Sequence, residues 1–390
     1  MGELKKKLRE EIRQSFSYGS QMSDEDVADI IDEKILGRPM SLKDRLKLQK
    51  ELFDSFRRLD ILQELVDDPN ITEIMVNGPN DIFVESGGRI GRWGGGTFES
   101  KEQLTNLIQQ IVGQVNRIVN TSSPIVSARL ENGSRVQVVL EPVAINGPIL
   151  TIRKFPERIT MERLIRYGSI SVEAADFFKK VTAARYNIFV SGGTGAGKTT
   201  FLNALSEFIP RDERVITIED SAELQLPHIE NLVRLETRDA NAEGEGAIGI
   251  GELIRASLRM RPDRIIIGEV RGKETVDLLQ VLNTGHEGSF SSGHSNSVRD
   301  MLSRLETMVL MGMDLPLPAI RGQIASAIDI MVHVARQRDR SRKVVAIEEV
   351  AGIENGEIVL RPLFSLVDGH LERTGELKNR EKLKLAGYQL

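Results

Sequence analysis

Between Asn187 and Ile209 the chain reads NIFVSGGTGAGKTTFLNALSEFI, and Gly192, Gly197, Lys198 and Thr199 fit the spacing G-x-x-x-x-G-K-[ST]. Each residue type there has a job in holding a polyphosphate. Glycines leave backbone N–H groups free to point at phosphates, the lysine ammonium reaches the terminal phosphates, and the threonine hydroxyl holds Mg²⁺. The binding stretch runs through Gly192, Gly193, Thr194, Gly195, Ala196, Gly197, Lys198, Thr199 and Thr200. A bare glycine turn between a strand and a helix would not require lysine and threonine after its last glycine. The flanks supply the positioning. Ile188-Phe189-Val190 predicts a buried strand, and Phe201, Leu202, Leu205, Phe208 and Ile209 share one helical face until Pro210 ends it. The expected ligand is a nucleoside triphosphate with Mg²⁺.

Hydrolysis also needs a group that orients water, a metal-ordering acid and positive charge for the transition state. RVITIED and RIIIGEVRG predict two strands that end at Glu219-Asp220 and at Glu269. Carboxylates at the C-terminal ends of parallel strands lie on the sheet edge where ligands bind. Glu269 stands where a metal-ordering acid is expected, with Thr199 as the other metal contact, and Glu219 is the better candidate to orient or deprotonate water. Sequence alone does not separate the two roles. The plainer reading of either glutamate taken singly is a strand-end surface charge; two beside one phosphate loop argue for chemistry.

His286 and His294 are two of only five histidines and share the segment TGHEGSFSSGHSNS. Metal ligation is not supported, because there is no cysteine and no His-x-x-His or Glu-x-x-His spacing. Sensing a γ-phosphate is the more economical function, against the plainer reading of a structural imidazole. Arg129, Arg135 and Arg153, in SARLENGSRV and LTIRKF, read as exposed sheet charges in a lone domain. In a multimeric hydrolase they reach a phosphate.

These residues need a scaffold, and the sequence pattern changes four times along the chain. Residues 1–58 predict helices, with Ser23 ahead of Val27, Ile30, Ile31 and Ile35, and Ser41 ahead of Leu42, Leu46, Phe53 and Phe56. Residues 59–154 predict an α+β domain. Its strands surround one helix that opens at the capping box Ser100–Gln103 and carries Leu104, Leu107, Ile108, Ile111, Val115 and Ile118 on one face. Asn132-Gly133 marks a hairpin. Residues 155–170 read as a hinge, and 171–368 alternate strands and helices, the signature of a parallel α/β sheet. The methionines of RLETMVLMGMDL read as core or interface filler. From 369 to 390 a polar, lysine-rich stretch predicts a frayed tail or an exposed helix.

A formal net charge of −5 gives no global basic field, so nucleic acid is not an expected partner. Zero cysteines exclude disulfides, thiolate zinc sites and cysteine nucleophiles. The charged N-terminus MGELKKKLREEIRQSF lacks the apolar centre of a signal peptide, and no stretch approaches the ~18 apolar residues of a membrane span. A cytoplasmic protein is expected. Lys6 stands where a myristoylation signal wants Ser or Thr.

GGTGAGKTT, VITIEDSAEL, RMRPDRIIIGEVRG and the TGHEGS to GHSNS segment together resemble the secretion-superfamily ATPases of type II and type IV secretion systems and type IV pili. Within them the likeness is to the CpaF-type ATPases of the Tad/Flp pilus. It runs over residues 60–365 and includes VNGPNDIFVE and SARLENGSRVQVV. The resemblance implies a RecA-like ATPase domain behind a smaller PAS-like α+β domain, ATP and Mg²⁺ as ligands, and a homohexameric ring. It also implies a place at the inner face of the cell membrane, acting through a platform protein and on pilin indirectly. By it, Lys198 and Thr199 are the Walker A pair, Glu219 the Asp-box acid, Glu269 the Walker B acid and His294 the His-box residue. Arg129, Arg135 and Arg153 then complete the nucleotide site, within one subunit or across an interface. Gly268 replaces the usual Walker B aspartate, as in the family, and Gly293 replaces a larger apolar residue. The tetracysteine segment of type II ATPases is absent. Two other readings stay open: a type IV secretion traffic ATPase, and a nucleotide-gated docking platform with little turnover.

Overall fold

A computed structural model describes residues 2–15, 22–115, 117–130, 132–155, 158–238, 240 and 245–389. The chain divides into two compact units, Met1–Glu157 and Arg158–Leu390.

The first unit opens with three helices, α1 (Gly2–Ser15), α2 (Asp24–Ile35) and α3 (Leu42–Arg57). Ser23 accepts the Asp26 N–H while the Asp26 carboxylate accepts the Ser23 N–H, and Ser41 caps α3 through the Asp44 N–H. Leu8, Ile12, Val27, Ile31, Ile35, Leu48 and Leu52 form their shared core. The expected stripe on α3 is therefore corrected. Leu48 and Leu52 are buried, Phe53 and Phe56 pack at the edge, and Leu42 and Leu46 stay exposed. Leucines recur so often on this helix that two stripes have helical spacing, and packing selects one.

A short helix α4 (Gln63–Asp67) leads into β1 (Ile71–Asn77), β2 (Ile82–Ser86), β3 (Arg89–Arg92), α5 (Lys101–Gln114), β4 (Ile125–Arg129), β5 (Arg135–Val139) and β6 (Ile149–Arg153). The strands form one sheet in the order β3-β2-β1-β6-β5-β4, antiparallel throughout. Ile74, Val76, Val136, Val138, Leu150 and Ile152 alternate onto the face that packs with Leu104, Ile108, Ile111 and Val112 of α5. Helix α5 ends at Gln114, so Ile118, expected on its face, lies beyond it and is exposed.

The second unit carries α6 (Met161–Arg166), α7 (Val172–Ala183), β7 (Ile188–Gly192), α8 (Lys198–Ser206), β8 (Arg214–Glu219) and β9 (Asn231–Glu236). It continues with α9 (Ile250–Ser257), β10 (Arg264–Ile267), α10 (Thr275–Asn283), β11 (Phe290–Gly293), α11 (Val298–Gly312) and α12 (Leu317–Ala327). It closes with β12 (Ile330–Arg336), β13 (Arg342–Glu354), β14 (Glu357–Val367), β15 (His370–Arg373) and α13 (Glu381–Leu385). The sheet order is β15-β14-β13-β12-β7-β11-β10-β8-β9. From β12 to β9 all neighbours are parallel, and β13 to β15 extend it antiparallel. Alternate residues of β7 face different cores: Ile188 and Val190 join α7 and α8, and Phe189 joins the side of α9 to α12, where Met301 and Met308 also pack. This is the α/β architecture the alternating pattern predicts.

Strands β9 and β11 and helix α12 have no counterpart in the sequence reading. The β11 residues Phe290-Ser-Ser-Gly293 are wholly buried yet mostly polar, so no apolar run announces them; Ser292 Oγ is satisfied by the Gly268 carbonyl at 2.6 Å. Of the expected hinge, Pro156 and Glu157 lie outside the described residues. Residues 158–170 pack within the second unit, where the Glu207 carboxylate binds Arg158 at 2.7 Å and the Met161 N–H at 3.0 Å.

Of the two forms expected for the tail, the exposed helix is present as α13, largely exposed, but the stretch is not frayed. Leu377 and Leu383 are buried in the core of α7 and α8. The Glu349 carboxylate accepts the Lys378 and Asn379 N–H groups, and Lys382 pairs with Asp329 at 2.8 Å. Two leucines in a polar background are too few to signal docking from sequence; Leu390 lies outside the described residues.

Candidate active site

Strand β7 is buried along its whole length and delivers the phosphate-binding loop to the first turn of α8. Gly192 has no room for a side chain, since a β-carbon would lie 2.3 Å from the Val334 carbonyl oxygen. Gly193, Thr194 and Gly195 form an exposed rim, and Gly197 caps α8 with φ +97°, a left-handed conformation that suits glycine. Lys198 is buried. Its Nζ lies 3.2 and 3.3 Å from the Gly192 and Gly193 carbonyl oxygens and 3.0 Å from His294 Nδ1. Burial lowers its pKa, against the pull of the nearby Glu269 carboxylate.

From Lys198 a chain of polar contacts crosses the sheet edge. His294 Nδ1 faces the lysine, and His294 Nε2 lies 3.1 Å from Glu269 Oε1. Glu269 Oε1 also accepts Arg271 Nε at 2.8 Å, and Arg271 Nη1 lies 3.3 Å from Asp220 Oδ2. An ammonium has no lone pair to offer, so these partners assign the proton to His294 Nε2 and leave Nδ1 as acceptor. Burial, and then the Lys198 charge, lower the His294 pKa, in keeping with a neutral ring. Arg271 escaped the sequence reading, although it stands two residues after Glu269 in GEVRG. With Asp220 it lines a cleft of about 360 Å³ whose other walls include Thr237, Arg238, Ile250 and Glu274.

Glu219 is buried beside this chain, with its carboxylate accepting the Glu223 N–H at 2.9 Å and the Leu224 N–H at 3.0 Å. Desolvation pushes its pKa up to about 7, opposed by those two hydrogen bonds. Room for it comes from Gly268, where a β-carbon would lie 2.9 Å from Glu219 Cγ. At Gly293 the space of a side chain is filled instead by Met301 and Phe189, whose atoms come within 2.8 and 3.2 Å of the β-carbon position.

The structure brings together Lys198, Glu219, Glu269 and His294 at the C-terminal edge of β7, β8, β10 and β11. It does not bring His286, which precedes β11 and so lies toward the opposite sheet edge. Among the described residues no three His, Asp or Glu side chains gather as a metal cage. Mg²⁺ retains waters and takes one or two protein ligands beside substrate phosphates. Thr199 on the first turn of α8 and Glu269 are the side chains that would hold it. In the first unit, strand register sets Arg129 opposite Arg135 and Arg135 opposite Arg153, one row on the sheet face away from α5. On its other side Arg153 stands opposite Glu73 of β1, an opposite-charge pair across the strands.

Residues 57–361 match the sequence model of the family described as Type II/IV secretion system protein. The chain belongs to the type II/IV secretion system protein family. Within that family it is 36% identical over 294 residues to a Mycobacterium tuberculosis protein named for conjugal transfer, covering 74% of this chain and 83% of that one. It is also 36% identical over 307 residues to the type IV secretion system protein VirB11 of Brucella abortus, covering 71% and 84%. The fold is shared with the ADP-bound pilus retraction motor PilT at TM-score 0.54 and 18% identity, over 84% of this chain and 85% of that one. This secretion-family member is an ATPase. Among its described residues no helix is long and apolar enough to cross a membrane.

Proposed function

We propose that this ATPase is the motor of a Tad/Flp-type pilus assembly system, a CpaF-type enzyme working as a homohexameric ring at the cytoplasmic face of the inner membrane. It acts on a membrane platform protein and through it on pilin. The observation that carries the catalytic part is the contact chain Lys198–His294–Glu269, which couples the phosphate-binding lysine to the strand-end acid through one imidazole. ATP binds on the loop amides and Lys198. Mg²⁺ supplies charge neutralisation for the phosphates when bound at Thr199 and Glu269. Glu219, poised near neutral pH by burial, orients or deprotonates the attacking water. A γ-phosphate competes with His294 for the same ammonium, so the imidazole reports to Glu269 whether that phosphate is present. The arginine row, Arg129, Arg135 and Arg153, adds the transition-state charge.

The pilus reading is supported by the motifs GGTGAGKTT, VITIEDSAEL and RMRPDRIIIGEVRG; the absence of cysteine favours it and a type IV secretion ATPase alike over the type II branch. The likeness to VirB11 and to the conjugal-transfer relative supports a second reading, a traffic ATPase of a type IV secretion system moving protein or DNA. Two measurements test the proposal. Lys198→Ala protein should keep its melting temperature and release no phosphate from ATP; unchanged phosphate release would overturn the site. In the source cell, Lys198→Ala should abolish surface pili; normal pili with lost conjugation or effector transfer would select the second reading.

A further inference from the structure

The strand pair β12–β13 lies against the phosphate-binding loop, with Val334 of β12 in register with Gly192 of β7. The turn that joins the pair reads RQRDRSRK from Arg336 to Lys343, four arginines and one lysine against one aspartate. Arg336 and Arg342 are direct cross-strand neighbours, a repulsive placement that an anion shared between them would relieve. Lys343 is engaged by the Gly369 carbonyl at 2.8 Å, and Arg338 and Arg340 are exposed at the tip. Arg342 does something different. Its Nε donates to the Gly195 carbonyl oxygen at 2.9 Å, and its stem passes over Gly197, with Cδ 3.3 Å from the place a β-carbon would take there. Among the described residues its two terminal amino groups have no hydrogen-bond partner.

We infer that Arg342 is a further nucleotide-binding residue, supplied by the same unit as the phosphate-binding loop. Through Nε it holds the loop tip, and with Nη1 and Nη2 it offers a planar two-pronged donor to the polyphosphate of the bound nucleotide. The anchoring bond uses the one guanidinium N–H that points back along the side chain, which leaves the fork geometry that matches phosphate oxygens. Gly197 serves this arrangement as well as the helix cap, since any side chain there would press on the Arg342 stem. The inference rests on the nucleotide site described above and adds to it a residue more than 140 positions away in sequence.

The test is binding of a fluorescent N-methylanthraniloyl-ADP with Mg²⁺ to the full chain and to Arg342→Ala, Arg342→Lys, Arg338→Ala and Lys198→Ala. Arg342→Ala should weaken binding roughly tenfold or more, the usual scale for lost hydrogen bonds to a charged group. Its melting temperature without nucleotide should not move, because the side chain is exposed. Arg342→Lys should recover only part of the loss, having charge but no fork. Arg338→Ala removes the same charge from the same turn and should stay within about twofold of wild type, as expected of a screened surface charge. Binding by Arg342→Ala within about twofold of wild type would overturn the inference. So would an equal loss in Arg338→Ala, which would reduce the effect to a general field. Normal binding by Lys198→Ala would instead overturn the nucleotide site itself.

Discussion

Gly268 and Glu219 fit together so closely that a β-carbon on the glycine would stand 2.9 Å from Glu219 Cγ. They lie at the ends of neighbouring parallel strands, where Ile267 is in register with Ile218. An aspartate at 268 and the present Glu219 side chain cannot both occupy this space. The carboxylate that follows β10 is instead that of Glu269, one residue further on. Gly268→Ala should push Glu219 from its place and lower turnover, on the order of tenfold or more, while nucleotide still binds at the unaltered loop. Wild-type phosphate release by Gly268→Ala would show that the fit has no catalytic consequence.

Glu219→Gln and Glu269→Gln should each bind ATP and hydrolyse it about 10²-fold more slowly. Near-normal turnover in both would reduce them to strand-end charges. The raised pKa of Glu219 adds a sign that can be checked. Its folded value, about 7, exceeds the ordinary 4.5, so the folded state holds the proton more tightly. That contribution to stability is full below about pH 4.5 and is lost as pH rises through about 7. Glu219→Gln should thus gain on wild type in urea melts at pH 8 and lose that gain toward pH 5. A gap independent of pH would contradict the burial argument.

Arg135 is the middle member of the row Arg129, Arg135, Arg153 and sits on the sheet face away from the α5 core. Arg135→Ala should lower turnover with little change in melting temperature, since a strand arginine off the core contributes little to packing. If the charge is shared between subunits of a ring, mixing Arg135→Ala with Glu219→Gln subunits should restore some activity, and specific activity should rise with protein concentration. No rescue and no concentration dependence would place the arginines' action within one subunit.

Leu383 is 2% exposed although it lies in a stretch whose sequence looks like a polar tail. Leu383→Ala should cost about 2–5 kcal/mol of stability, the range for an emptied leucine site in a core. A melting curve unchanged by the substitution would mean that residues 374–389 contribute nothing to the second unit.

The sequence alone determined the phosphate-binding loop, its strand and helix, and the two strand-end glutamates. Each of these is written locally: a glycine pattern with fixed offsets, an apolar run, a helical stripe, a carboxylate closing a strand. It also determined the division into a helical start, an antiparallel sheet with one helix and a parallel α/β sheet, because periodicity changes along the chain. Tertiary structure decided what local pattern cannot carry. Strand order put β11 between β7 and β10, and that adjacency alone sets His294 between Lys198 and Glu269 and sends His286 toward the opposite edge. Register across three strands aligned arginines that are dispersed in sequence. The hairpin β12–β13 returned Arg342 to Gly195, and two leucines docked a segment with no other apolar signal. Spacing along a chain fixes which residues share an element; only the packing of elements fixes which residues share a site.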